Sequence, residues 1–360
     1  MEDVVNPWKG RKVFLTGHTG FKGGWLALWL AKKGALVRGY ALAPEADPNL
    51  FTAADVGGAV EDVRGDIRDF ALVQEQMCEF APEVVFHMAA QPLVRRSYAD
   101  PLGTYATNVM GTAHVLESVR NCRSVRAVVC VATDKCYENR EWERPYREDD
   151  SLGGHDPYSS SKACAEIVAA AYRSSFFDTE AGGNGGVALA TARAGNVIGG
   201  GDWSEDRLIP DLVRGFCAGE AVKIRRPHAV RPWQHVLEPL QGYMMLAERL
   251  LAGERTFAGP YNFGPAEDDS WTVERVTDRV AELWGDSAKW TRDEEPGVHE
   301  AHLLKLDASK AHAELGWRPR LRIGSALEWT VRWYRAWRKG NAMHSETLNQ
   351  IEEYERLLRD

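Results

Sequence analysis

The 360-residue sequence predicts an α/β fold, a doubly wound parallel sheet, on three observations. Short apolar runs rich in β-branched residues alternate with segments of helical periodicity through the first half of the chain. A cluster of glycines stands directly between the first such run and the first helical segment. Helical crossovers return successive strands to the sheet in the same direction and cover both of its faces.

The elements follow in order. Lys12 to Thr16 is a short β-branched and aromatic strand that ends in glycines. Leu26, Trp29 and Leu30 then recur at helical spacing until Gly34, a C-cap, after which Ala35 to Leu42 reads as the second strand. A third strand ends near Gly65-Asp66, a helix runs from Leu72 to Phe80, and Val84 to Met88 is the next strand. A helix over about 104–121, the strand Ala127 to Ala132, a long helix from Tyr158 towards Phe177 and the strand Val187 to Arg193 complete the alternation, with Gly182 to Gly186 as a surface connection. Regularity weakens beyond this point. Gly199-Gly200-Gly201-Asp202, Arg225-Arg226-Pro227-His228 and Arg231-Pro232-Trp233 read as loops able to close over a ligand, which predicts a second, smaller domain. Leu348, Ile351, Tyr354 and Leu358 mark an amphipathic tail helix over 341–360, expected to pack on the body of the protein.

Composition narrows the class. A chain with 44% hydrophobic residues buries a large core. A net charge of −8 argues against a nucleic-acid partner, so any phosphate site must be a local basic pocket. Six cysteines without a C-x-x-C pair suit free thiols in a reducing compartment better than disulfides or a metal site. Met1-Glu2-Asp3 lacks a cationic leader, and no run approaches the ~20 apolar residues of a membrane span. A cytoplasmic protein is therefore expected, with no membrane partner and no metal.

Gly17-x-x-Gly20-x-x-Gly23 lies where the chain must turn tightly and let a pyrophosphate approach the backbone and a helix N-terminus. This favours nucleotide binding by the first domain over a plain glycine-rich turn. Tyr40-Ala41-Leu42-Ala43, ending the second strand, offers no acidic ligand for a ribose 2′-hydroxyl, and Arg38 is nearby, so this rule leaves NAD and NADP both open. Asp66 and Ile67, after the third strand, are candidates for the adenine end.

Tyr158 and Lys162 are four residues apart and project from one helix face. A cation beside a phenol favours the phenolate, which equips Tyr158 to take a proton from a substrate hydroxyl. The same spacing also occurs on solvated helix faces. Thr133-Asp134-Lys135, at the end of an apolar strand, adds an acid and an amine that a plain alcohol dehydrogenase does not need.

Thr16-Gly17-His18-Thr19-Gly20-Phe21-Lys22-Gly23, Tyr158 with Lys162, and Leu315-Gly316-Trp317-Arg318-Pro319 resemble the extended short-chain dehydrogenases that act on nucleotide sugars. Within them, Pro7-Trp8-Lys9-Gly10, Thr133-Asp134-Lys135, Arg231-Pro232-Trp233-Gln234-His235-Val236 and His299-Glu300-Ala301 resemble the CDP-glucose 4,6-dehydratases. The likeness extends to about residue 340. It implies a Rossmann-like NAD domain over 1–196 plus about 233–264, interleaved with a nucleotide-sugar domain over about 197–232 and 265–340. It also implies NAD as cofactor, contacts to it from Thr19, Phe21, Lys22, Ala89, Ala90, Gln91 and Asn108, and contacts to the sugar nucleotide from Asn196, Arg207, Arg231, Trp233 and His299. A guanidinium pairs well with phosphate, which gives Arg231 a physical warrant of its own. Trp233 reads either as a platform for cytosine or as core. The resemblance further implies a homodimer, with a tetramer open, built on the helices that hold Asn108 and Tyr158, and a role in deoxysugar synthesis for surface polysaccharide.

For such enzymes the implied chemistry is oxidation at C4 by Tyr158, assisted by Thr133, with Lys162 tuning the phenol and binding the nicotinamide ribose. Elimination of water across C5 and C6 follows, with Asp134 as acid for the departing 6-hydroxyl and Lys135 at C5 as base or as a cation stabilising the enolate. Relatives acting on dTDP-glucose or GDP-mannose carry a carboxylate where Lys135 stands, and a lysine acts as base only after losing a proton. A UDP-N-acetylglucosamine 4,6-dehydratase, a 4-epimerase and a non-catalytic NAD-binding regulator are the alternative readings. An epimerase leaves substrate mass unchanged, and regulators of this fold often lack the Tyr or the Lys.

Overall fold

The computed structural model describes residues 6–177, 186–285, 288–293 and 304–359. Its centre is a seven-stranded, wholly parallel sheet. The strands are β1 (Lys12–Thr16), β2 (Leu36–Ala41), β3 (Glu61–Arg64), β4 (Val84–His87), β5 (Ala127–Thr133), β6 (Ala188–Ala194) and β7 (Pro260–Phe263). Their spatial order is β7-β6-β5-β4-β1-β2-β3, so the chain reverses direction across the sheet between β1 and β4. Ligands of doubly wound sheets bind beyond the carboxyl ends of the strands at such a point.

Alternation along each strand sends residues to opposite faces. Val13, Leu15, Val84, Phe86, Val129 and Ala190 pack on one face under α1 (Phe21–Lys32), whose Trp25 and Trp29 are fully buried. Phe14, Val85, Val128 and Leu189 pack on the other face. There they meet Met77 of α2 (Phe70–Phe80), Val115 and Val119 of α3 (Gly111–Asn121) and Ala169 of α4 (Pro157–Tyr172). Asp69 caps α2 by accepting from Leu72 N at 3.1 Å. Asp156 caps α4 by accepting from Ser159 N at 2.9 Å, with Pro157 in the first turn. That cap sets where Tyr158 enters the site.

Several expectations need amending. The predicted helix over about 104–121 begins earlier, at Pro101, and carries a π-helical turn over Ala106–Met110 before α3. Arg231-Pro232-Trp233 is not simply loop. Val230–Pro232 pairs antiparallel with Ser270–Thr272, and Gln234–His235 pairs parallel with Val197–Ile198. Strands of two or three residues are specified by distant partners and carry no periodicity of their own. Residues 182–185 of the glycine connection and His299 lie outside the described residues.

Beyond β6 the chain leaves the sheet and returns to it through α5 (Leu237–Leu251) and β7. The last two helices, α6 (Ile323–Arg338) and α7 (Met343–Leu357), close over α1 and α5. The tail helix packs on the body as expected, with Trp29 Nε1 donating to Glu355 at 2.9 Å. Tyr354 Oη donates to Glu238 at 2.7 Å. Among the described residues no helix is long and apolar enough to cross a membrane, and no His, Cys, Asp and Glu cluster could hold a metal ion.

Glu238 is fully buried and also accepts from the backbone N–H of Arg320 at 2.9 Å and of Leu321 at 2.6 Å. Burial raises its carboxyl to about 7, opposed by those donors. A raised folded-state value means that the stability gained is complete below the ordinary value of about 4.3 and is lost as pH rises through about 7. We expect the stability difference between wild type and Glu238→Gln to fall by on the order of 2–3 kcal/mol between about pH 5 and pH 8, read from urea unfolding. A difference that stays flat across that range would refute a neutral Glu238.

Candidate active site

The carboxyl ends of β1, β4, β5 and β6 open into a cleft of ≈ 360 Å³. All five proposed catalytic residues, Thr133, Asp134, Lys135, Tyr158 and Lys162, line it. They arrive from three elements. Thr133 ends β5, and Asp134 and Lys135 occupy the single 3₁₀ turn Asp134–Cys136 that follows. Thr133 Oγ1 donates to Asp134 Oδ1 at 2.9 Å and accepts from Lys135 N at 3.3 Å, so the turn is closed by its own first side chain. Tyr158 and Lys162 come from the first turns of α4. Lys135 Nζ lies 6.0 Å from the centre of the Tyr158 ring, which places the amine and the phenol on one side of the cleft.

The electrostatics of these groups differ. Burial holds the Asp134 carboxyl above the usual carboxylate range, against the pull of Lys135, of its hydrogen bond to Thr133 and of Arg231. Its Oδ2 is buried without a hydrogen-bond partner, and a Cβ on Gly195 would sit 3.1 Å from it. Burial pushes the Tyr158 phenol up to about 12, the Thr133 hydrogen bond lowers it and the Asp134 charge raises it. The expected lowering by Lys162 is not the dominant influence here. The Lys162 ammonium donates instead to Val131 O at 3.0 Å; burial lowers its pKa and Glu166 raises it.

The glycine turn is built as its spacing requires. Gly17 has φ +82°, and a Cβ there would meet Ala89 N at 2.8 Å. A Cβ on Gly23 would fall 2.1 Å from Gly17 O, so α1 starts too close to the turn for any side chain. Gly20 caps α1 without a side-chain hydrogen bond, and the first turn holds no acidic residue. Thr19 Oγ1 donates to Leu42 O at 3.0 Å beside it. Phe21, Lys22 and Ala90 line the cleft. Lys22 Nζ donates to Tyr243 Oη at 2.9 Å, and burial with the charges of Arg207 and Lys162 lowers it to about 7.

Other predicted residues act behind the surface. Asn108 is buried in the π-helical turn and donates to Gln91 O at 3.0 Å and Ser161 Oγ at 2.9 Å, while accepting from Gln91 N at 2.8 Å. It ties the loop after β4 to α4. Thr16 Oγ1 accepts from Met88 N at 3.0 Å and Ala89 N at 3.1 Å. Asp66 and Ile67 do not line the cleft. The Asp66 carboxylate accepts from Arg68 N and Nε, both at 2.8 Å, and buried Ile67 packs where a Cβ on Gly111 would clash.

Asn196, Arg207, Arg231 and Trp233 line the far wall. Arg207 Nη1 donates to Asp202 at 2.9 Å. Trp233 is buried, with Nε1 donating to Trp271 O at 3.0 Å, which makes it a wall of the cleft rather than a free platform. The sequence reading missed Arg95 and Lys223, which join Arg225 and Arg226 in the lining. It also missed Arg193, whose signal was a lone cation inside the otherwise small and apolar run of β6.

A parallel sheet of this order with a Tyr-x-x-x-Lys pair beside its switch point defines an extended short-chain dehydrogenase. The family described as GDP-mannose 4,6 dehydratase matches residues 14–330, and the chain belongs to it. It is 52% identical over 349 residues to the CDP-glucose 4,6-dehydratase of Salmonella typhimurium, with 97% of each chain covered. It is 27% identical over 361 residues to the dTDP-glucose 4,6-dehydratase of Xanthomonas campestris, covering 94% of this chain and 97% of that one. A solved dTDP-glucose 4,6-dehydratase from Streptomyces venezuelae with NAD bound superposes at a TM-score of 0.77 and 26% identity, covering 92% of this chain and 98% of that one.

Proposed function

We propose that this protein is a hydro-lyase that converts CDP-D-glucose to CDP-4-dehydro-6-deoxy-D-glucose and uses NAD as cofactor. The observation that carries the reading is the meeting of Asp134 and Lys135 with Tyr158 and Lys162 in one cleft, in a chain 52% identical to a CDP-glucose 4,6-dehydratase. The residues present fit the cofactor. The turn at Gly17, Gly20 and Gly23 leaves no side chain between a pyrophosphate and the start of α1, where the helix dipole favours an anion. When bound, NAD supplies the acceptor for hydride from C4 and the donor to C6, and its nicotinamide charge favours an ionised phenol.

The chain's own groups then divide the work. Tyr158 takes the proton of the 4-hydroxyl and is hydrogen-bonded with the Thr133 side chain. Lys162, anchored on Val131 O, would hold the nicotinamide ribose. The 4-ketone acidifies C5, and Lys135 either removes that proton or stabilises the enolate. Asp134 protonates the departing 6-hydroxyl. A carboxyl held up by burial keeps its proton closer to neutral pH, which is the property an acid in this position needs. Asn196, Arg207 and Arg231 bind the diphosphate. We expect His299 to join the substrate contacts.

The exposed apolar side chains Leu102 (81%), Met110 (53%) and Ile167 (56%) cluster on the helices carrying Asn108 and Tyr158, which supports a homodimer through that face. Free thiols, of which Cys122, Cys130 and Cys136 are buried, support a reducing compartment, which we take to be the cytoplasm. Deoxysugar supply for surface polysaccharide is the role we assign on the family resemblance.

Incubation with CDP-glucose, dTDP-glucose, GDP-mannose and UDP-N-acetylglucosamine, scored by mass for loss of one water, tests the reading. Dehydration of CDP-glucose alone is expected. Turnover only with a non-cytidine substrate would overturn it, and a product of unchanged mass would favour an epimerase.

A further inference from the structure

We propose that Arg193, Glu166 and Tyr137 form a positioning clamp that sets the elimination pair Asp134 and Lys135 against the oxidation pair Tyr158 and Lys162. The inference rests on the dehydratase reading above and assigns a task to three residues that touch none of the reacting atoms.

The geometry is continuous. Glu166 lies one helical turn past Lys162 on α4, and Tyr137 lies two residues past Lys135. Arg193 projects from β6 between them. Its Nη2 donates to Glu166 Oε2 at 2.8 Å, and its Nη1 donates to Tyr137 Oη at 2.8 Å and to Glu148 O at 3.2 Å. Tyr137 Oη donates to Asn262 Oδ1 at 2.7 Å, and Asn262 Nδ2 donates to Tyr146 O at 3.0 Å and Asp307 O at 3.1 Å. Thr191 Oγ1 donates to Glu166 Oε2 at 2.8 Å. The clamp therefore joins α4, the catalytic turn, β6 and β7 below the cleft.

Energetics say what such a pair is for. Both side chains of the Arg193–Glu166 bridge are only 3% exposed. Desolvating two charges cancels most of their attraction, so apolar residues of equal volume would hold the sheet as well. What apolar residues cannot do is fix direction. A planar guanidinium with one nitrogen on the helix and the other on the turn defines the distance between them. Two proton-transfer pairs must address neighbouring carbons of one sugar, and a misplacement of about 1 Å can cost roughly 100-fold in rate. Tyr137 is the link on the elimination side alone, since its backbone directly follows the catalytic turn and its hydroxyl bonds to Arg193 and Asn262 rather than to α4.

The test separates the half-reactions. The Tyr137→Phe holoenzyme is mixed with CDP-glucose, and the near-ultraviolet absorbance of reduced nicotinamide is followed together with product mass. Oxidation at C4 is expected at the wild-type rate, while dehydration slows by on the order of 10- to 100-fold, so reduced cofactor accumulates. Tyr354→Phe, which removes a buried tyrosine hydroxyl from Glu238, neither residue lining the cleft, is the matched control. It is expected to lower the melting temperature with no accumulation. Arg193→Lys keeps the charge opposite Glu166 but cannot reach both partners, and is expected to show the same accumulation. If Tyr137→Phe slows both half-reactions equally, or slows neither, the clamp is refuted. If wild type does not dehydrate CDP-glucose, the functional reading fails first, and that outcome is visible before any variant is compared.

Discussion

Tyr158→Phe is expected to lower turnover of CDP-glucose by roughly 10²–10⁴-fold, with cofactor binding and melting temperature retained. The physical argument is that C4 oxidation needs a base at the 4-hydroxyl, and Tyr158 presents the phenol beside Thr133 at the carboxyl end of β5. Phenylalanine preserves the packing of the ring and removes only the group that moves the proton. The loss corresponds to about 3–5 kcal/mol of transition-state stabilisation. Because oxidation is the first step, no reduced nicotinamide should appear in this variant. Burial pushes the phenol up to about 12, so in wild type the rate of the oxidation step should rise with pH through the neutral range as the ionised fraction grows. Wild-type turnover in Tyr158→Phe, read by stopped-flow absorbance and product mass, would exclude Tyr158 as the base.

Asp134→Asn should produce a loss of similar size, roughly 10²–10⁴-fold, but with the opposite spectroscopic sign. Oxidation is intact in this variant, and elimination lacks its acid, so reduced nicotinamide accumulates on addition of substrate. The acid must hold its proton, and burial is the first cause that raises the Asp134 carboxyl. The elimination rate should therefore fall as pH rises through a carboxyl value above the ordinary Asp range, and that limb should vanish in Asp134→Asn. Lys135→Ala provides the companion measurement. Full dehydration in that variant would remove Lys135 from the reaction, whereas accumulation of reduced cofactor would place it in the elimination step with Asp134. An Asp134→Asn enzyme that dehydrates normally would assign the acid elsewhere.

Much of this site was legible before folding because its parts are local. Gly17, Gly20 and Gly23 declare themselves by spacing, since a Cβ at the last of them would overlap Gly17 O. Tyr158 and Lys162 share a helix face by periodicity alone. Thr133, Asp134 and Lys135 are consecutive, and Thr133 closes their turn with its own hydroxyl. Arg95, Lys223 and the Arg193 clamp were not legible in this way. Arg193 meets partners 27 and 56 residues away, and no local pattern encodes such meetings. The short strands at Val230–Pro232 and Gln234–His235 were missed for the same reason.

Sequence by itself determined the alternating architecture, the glycine turn and the candidates for proton transfer, because each depends on neighbours within one or two turns of chain. Tertiary structure alone decided that burial raises the Asp134 carboxyl, that Lys162 rests on Val131 O, and that Trp233 is wall rather than platform. These are properties of desolvation and of contacts between strands and helices distant in sequence. They appear only when the sheet brings β5, β6 and α4 to one edge of the cleft.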